Sequence, residues 1–186
     1  MSGVPWKVPV FANHSECLLI YIEDDYNDHL LFNRSVQRTK TPFRIQPFFS
    51  GETALAYLRR VTPYDDQTAH PLPWLVLCDY DLGSCKGCDI VSALRRLPHC
   101  NTLPTIIFSG ADRPETILRS YTAGADHFLT KPTTTEGLDA IVQALYRCLT
   151  STPSDFAPLR ELTEHRVCPA VTTLVEQRSD NLHNVH

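Results

Sequence analysis

A chain of 186 residues can bury one substantial core with tails to spare, but not two ordinary domains. Hydrophobic side chains make up 42% and charged ones 20%, the proportions of a globular protein rather than a disordered one. The formal net charge of −4 argues against a protein whose main task is to neutralise nucleic-acid phosphates, and the longest apolar runs, Leu18–Ile22 and Trp74–Cys78, are far short of a membrane span.

The first fifteen residues carry Lys7 and several Pro and Gly breaks with no apolar signal-like run, so the expected location is the cytoplasm and the seven Cys are expected to be reduced. Residues 1–15 read as a loose arm. CLLIYI (17–22) is a buried strand ending in an acidic cluster, and Leu31, Phe32, Ser35 and Val36 recur at helical spacing, predicting a helix over about Asn27 to Arg38. FRIQPFF (43–49) predicts a second strand, which Pro47 assigns to a sheet edge because proline cannot donate to an interior ladder. Ser50 is placed to cap a helix running through Arg60, and the Pro-rich stretch Val61–Pro73 is a long loop.

WLVLCD (74–79) is a continuous apolar run closed by an Asp, the pattern of a central parallel strand buried on both faces. Ile90, Val91, Leu94 and Leu97 predict a third helix, TIIFSG (105–110) a fourth strand, and Pro114–Thr122 a fourth helix closed by Gly124. DHFLT (126–130) is a fifth strand, and Thr135–Leu149 a last helix with Leu138, Ile141, Val142 and Leu145 on one face. Five strands alternating with five helices imply an α/β fold, a parallel sheet covered on both sides, over residues 16–149. Residues 150–186 read as a partly helical or flexible tail, too short for a usual DNA-binding output domain.

In an open α/β sheet, ligands bind beyond the carboxyl ends of the strands. The first strand ends in Glu23-Asp24-Asp25, the third in Asp79, the fourth in Ser109 and the fifth in Lys131-Pro132. Acidic side chains, a hydroxyl and an amine are thus expected at one sheet edge. Crowded carboxylates repel one another unless a cation sits among them, and an oxygen-only ligand set with room for water suits Mg²⁺.

The segments IEDD (22–25), DYDLGSCKG (79–87), FSGA (108–111) and FLTKP (128–132) together resemble the receiver domain of two-component response regulators. The resemblance spans about Cys17 to Leu149 and implies a flavodoxin-like five-stranded parallel sheet of order 2-1-3-4-5. It implies that Asp79 is a phosphoacceptor, that Glu23, Asp24, Asp79 and the backbone carbonyl of Asp81 hold Mg²⁺, and that Lys131 binds the phosphoryl group. It further makes Ser109 the switch hydroxyl and Phe128 the switch aromatic, with plain core the competing reading of Phe128. Gly87 falls where the family keeps a Gly, and the Lys131–Pro132 bond is expected to be cis. Gly83 departs from the family pattern by standing where receivers usually have Pro, and Asp81 sets a second carboxylate beside the acceptor.

The resemblance implies a phosphorylation-dependent switch rather than an enzyme with a separate substrate. Its implied partners are a sensor histidine kinase or phosphotransfer protein and a downstream protein target, with homodimerisation through the switch face or tail, and with neither nucleic acid nor membrane. The stretch Glu23–Asp28 and the long loop before the third strand lean toward the single-domain, phytochrome-associated kind. Two other readings stay open: a receiver-like scaffold that never carries phosphate, and a redox module built on Cys85-Lys86-Gly87-Cys88, a C-x-x-C that opens a helix.

Overall fold

The structure, a computed structural model, describes residues 17–151 together with 158, 159 and 162. The expected arm over 1–15 and nearly all of the expected tail lie outside the described residues. Five parallel strands, β1 (Cys17–Ile22), β2 (Phe43–Phe48), β3 (Leu75–Cys78), β4 (Thr105–Ser109) and β5 (His127–Thr130), form one sheet in the order β2-β1-β3-β4-β5. Between and after them run α1 (Tyr26–Thr39), α2 (Gly51–Leu58), α3 (Gly87–Arg95), α4 (Pro114–Ala123) and α5 (Thr135–Ser151). This is the expected flavodoxin-like topology.

The alternation of the strands sorts the core into two layers. Ile20, Ile22, Val76, Cys78 and Ile107 face a layer closed by α2, α3 and α4. Leu19, Tyr21, Leu75, Leu77 and Ile106 face the opposite layer, closed by α1 and α5. All of these are essentially inaccessible to water. Each such aliphatic side chain contributes roughly 1.5–3 kcal/mol by its burial, which is why the central strands are apolar on both faces. Leu159, further along the chain, is also buried in the α1/α5 layer.

Local chemistry sets the element ends. Asp25 caps α1, its Oδ1 accepting the Asn27 N–H at 2.6 Å, so the helix starts at Tyr26, one residue earlier than the apolar pattern suggests. Ser50 caps α2 as expected, but that helix stops at Leu58. Arg60 turns left-handed at φ 56°, and the N–H groups of Arg60 and Val61 return to the carbonyls of Tyr57 and Ala56. That pair of bonds is a Schellman ending, which the sequence does not advertise because it uses no glycine. Gly124 closes α4 at φ 112° as expected. The Lys131–Pro132 bond is trans, contrary to expectation; the cis X–Pro bond among the described residues is Thr62–Pro63.

The loop between α2 and β3 is organised by aromatic packing. Tyr57, Tyr64 and His70 form a triangle with ring centroids 5.2–5.7 Å apart, and the Tyr57 hydroxyl donates to the Pro71 carbonyl at 2.7 Å.

Candidate functional site

The carboxyl edge of the sheet brings four polar strand ends together. The Glu23 N–H donates to the Phe48 carbonyl at 2.9 Å and the Asp79 N–H to the Ile22 carbonyl at 2.8 Å, so ladder bonds carry β1 and β3 right up to their acidic residues. Glu23 is 2% exposed and Asp79 6%. On the far side, the Lys131 N–H donates to the Ser109 carbonyl at 2.7 Å, extending the β4–β5 pairing in the same way. Rigid strands rather than loops hold these groups.

Lys131 reaches back across the edge. Its Nζ lies 2.5 Å from Glu23 Oε2, 2.6 Å from Asp28 Oδ2 and 2.9 Å from Asp79 Oδ1. The other Asp79 oxygen, Oδ2, accepts the Asp81 N–H at 2.5 Å. Glu23 also takes the Tyr21 hydroxyl at 3.1 Å and the Asp25 N–H at 3.2 Å. His29, buried between the rings of Tyr21 and Phe49, donates from Nε2 to the Glu23 carbonyl at 2.9 Å and fixes the backbone there.

One oxygen each from Glu23, Asp24 and Asp79 gather within 4.8 Å of one another. At such a separation, ionised Glu23 and Asp79 repel by about 3–4 kcal/mol at an effective dielectric of about 20. Burial pushes both carboxyls above the usual carboxylate range, against the pull of Lys131. Burial also works against the Lys131 ammonium, but its bonds to Asp28, Glu23 and Asp79 hold its pKa well above the ordinary lysine value. Among the described residues, three carboxylates (23, 28 and 79) meet one ammonium and a fourth (24) gathers with 23 and 79, an excess of three negative charges when all are ionised. This donor set fits a divalent cation: it is all oxygen, it is over-supplied with charge, and exposed Asp24 leaves one side open to water. The Asp81 carboxylate is not in the trio but is paired with Lys86 at 2.8 Å. The bridge between Asp81 and Lys86 uses the carbonyls of Tyr80 and Cys85, so it does not consume the Asp81 carbonyl expected at the metal.

The two glycines of the following loop have separate reasons. Gly87 packs its backbone against Asp79, where a Cβ would lie 2.2 Å from the Asp79 carbonyl oxygen. Gly83 sits at φ 67°, a conformation closed to the proline that receivers usually carry there. Ser109 is 4% exposed and its Oγ accepts the Ala111 N–H at 3.2 Å. Phe128 is 5% exposed and belongs to the α2/α3/α4 core layer, so in this conformation it is a core residue.

Cys85 and Cys88 carry free thiols, half-buried and buried respectively. Burial pushes both thiols up, the opposite of what activates a redox thiolate. Asp28 is the site residue that pattern reading missed. The available signal was its place in the first turn of α1, directly after the Glu23–Asp25 strand end, from which it reaches Lys131.

Comparison with known proteins agrees with this geometry. The chain is 24% identical over 128 residues to the probable methanogenesis regulatory protein FilR2 of Methanothrix harundinacea, covering 69% of this chain and 80% of that one. It is 29% identical over 102 residues to the two-component response regulator ORR2 of rice, covering 49% of this chain and only 40% of the relative's length. The phosphorylated cyanobacterial phytochrome response regulator RcpA shares the fold at a TM-score of 0.67 and 22% identity, over 74% of this chain and 97% of its own. The Mn²⁺-bound response regulator Rcp1 does so at 0.63 and 20%, over 73% and 95%. The model of the response regulator receiver domain matches residues 19–143, and the chain belongs to that family.

Proposed function

We propose that this receiver is a phosphorylation-dependent switch in two-component signalling, with Asp79 accepting a phosphoryl group from a phosphohistidine on a sensor kinase or phosphotransfer protein. The observation that carries the reading is the environment of Asp79. It is buried at the sheet edge, held by Lys131 on one oxygen and by the Asp81 N–H on the other, among carboxylates in excess of cations.

In the transfer, an Asp79 oxygen attacks phosphorus as the phosphorus–nitrogen bond of the donor breaks, and the freed imidazole takes up a proton. Lys131 shifts its Asp79 contact to a phosphoryl oxygen and meets the charge delivered there. Glu23, Asp24, Asp79 and the Asp81 carbonyl would hold Mg²⁺, which when bound supplies the positive charge that the carboxylates lack. The Ser109 hydroxyl lets go of the Ala111 N–H and donates to a phosphoryl oxygen. That movement alters the space beside Phe128 on the neighbouring strand, and with it the face of α4, β5 and α5 that a downstream protein would read. The phosphoryl group shifts this equilibrium only by the contacts that differ between the two states.

The test is intact mass after incubation of the full chain with Mg²⁺ and a small phosphodonor such as phosphoramidate. One phosphoryl group is expected on the wild type and none on Asp79→Asn. No uptake at any Mg²⁺ concentration would instead make the domain a scaffold that works without phosphate.

A further inference from the structure

We propose that Asp28 is a positioning residue that anchors Lys131 through the phosphorylation cycle. The inference rests on the function proposed above and adds to it a residue outside both the acceptor and the acidic trio. An ammonium has three N–H donors, and those of Lys131 meet three carboxylates, with Asp28 among the two shorter contacts.

Two of the three contacts are called on by the chemistry. The Asp79 contact passes to the incoming phosphoryl group. Glu23 belongs to the acidic trio and already accepts from the Tyr21 hydroxyl on the same oxygen, so a cation drawn into that trio competes for it. Asp28 stands apart from both demands, being outside the set of oxygens that gather within 4.8 Å.

Its placement suits an anchor. Lys131 leaves the end of β5 on a flexible four-carbon stem, while Asp28 comes from the first turn of α1, whose start is pinned by the Asp25 cap. The two elements approach the acceptor from different sides. With Asp28 in place, the ammonium stays over Asp79 while its other two partners are engaged elsewhere. Without it, the stem samples other rotamers during the steps that need the charge most.

The experiment compares the wild-type full chain with Asp28→Asn and Asp28→Glu. At saturating Mg²⁺ and fixed phosphoramidate, Asp28→Asn is expected to take up phosphoryl about ten-fold more slowly, the size of one charge-assisted hydrogen bond. The Mg²⁺ concentration for half-maximal rate should move by less than about two-fold, because Asp28 is not a metal donor, and Asp28→Glu should recover most of the rate. A readout independent of turnover is the ¹H–¹⁵N signal of the Lys131 ammonium, sharp in the wild type and in Asp28→Glu and exchange-broadened in Asp28→Asn. Equal melting temperatures for the three proteins exclude a merely structural loss. The anchor is overturned if Asp28→Asn is phosphorylated at the wild-type rate, or if its Mg²⁺ requirement rises by the same factor as its rate falls. A wild type that takes up no phosphoryl group overturns the proposed function itself, a result distinct from a working wild type with an indifferent Asp28→Asn.

Discussion

At the amino edge of the sheet, Arg95 donates to the carbonyls of Gly124 and Leu103 at 2.9 Å and to Asp126 Oδ2 at 2.7 Å, while Asp126 also receives the Thr105 N–H at 2.8 Å. At the carboxyl edge, Lys131 is shared among three carboxylates, with a fourth alongside. Both are part-buried ion pairs tying helices and strand ends together. The difference is balance. At the amino edge one cation meets one anion, and backbone carbonyls and an N–H take further bonds, which makes a joint; at the carboxyl edge one cation among several anions, counted over the described residues, makes a site still short of positive charge. The contrast shows that burial alone does not mark function, whereas burial with an unpaired excess of one sign does.

The largest effect that would break this contrast is expected at the joint. Arg95→Ala removes the ion pair from half-buried Asp126 and the bonds to the backbone carbonyls beside it, and should cost about 3 kcal/mol, lowering the melting temperature by roughly 10 °C, while phosphoryl uptake by the remaining folded protein is unchanged. A small change in melting temperature would show that the amino edge is not the structural end. Next comes Gly87→Ala, whose Cβ would lie 2.2 Å from the Asp79 carbonyl oxygen. The start of α3 must then move, at a cost of about 1–3 kcal/mol, and because the displaced group is the backbone of Asp79 itself, thermal stability and phosphoryl uptake should fall together. Retained uptake would separate the helix from the acceptor.

The smallest effect is the most telling, because its sign is opposite at the two edges. The Asp79 carboxyl is held above its ordinary value, so the unfolded chain gives up that proton first, and the group's contribution to stability falls as pH rises from about 4 through the folded-state value. Asp79→Asn removes this penalty and should raise the melting temperature at neutral pH by about 3 °C, with a smaller gain near pH 4. The equivalent change at the joint, Asp126→Asn, should lower it. Two shifts of the same sign, read by calorimetry, would contradict the contrast drawn above.

Much of this site could be read from residue order because strand ends are easy to find. An apolar run stopping at Asp79, another stopping at Glu23 and a Lys-Pro after a third fall at one edge in any parallel sheet of this topology. The same reading placed Pro47 at an edge and Gly124 at a helix end, since each follows from a single residue's backbone chemistry. What escaped depends on phase or on partners far apart in the chain. Asp28 lies in the first turn of α1 whether that helix starts at Tyr26 or Asn27, and what the residue order hides is its pairing with Lys131, 103 residues further along the chain. The triangle of Tyr57, Tyr64 and His70 crosses a loop whose composition announces only irregularity. The end of α2 is a backbone motif with Arg60 in an unusual conformation, which no side-chain pattern encodes. The trans geometry before Pro132 shows the limit of transferring a family habit to one chain.

Pro47 carries a consequence beyond its placement. β2 is the outermost strand on its side, and the Phe48 carbonyl is turned inward to the Glu23 N–H. Backbone groups alternate in direction along a strand, so the nitrogen of Pro47 faces outward. Among the described residues, this outer rim therefore lacks a donor near its carboxyl end, and a foreign strand laid along it would find its ladder interrupted. That missing hydrogen protects the outer seam of the sheet from fibril-like stacking of chain upon chain.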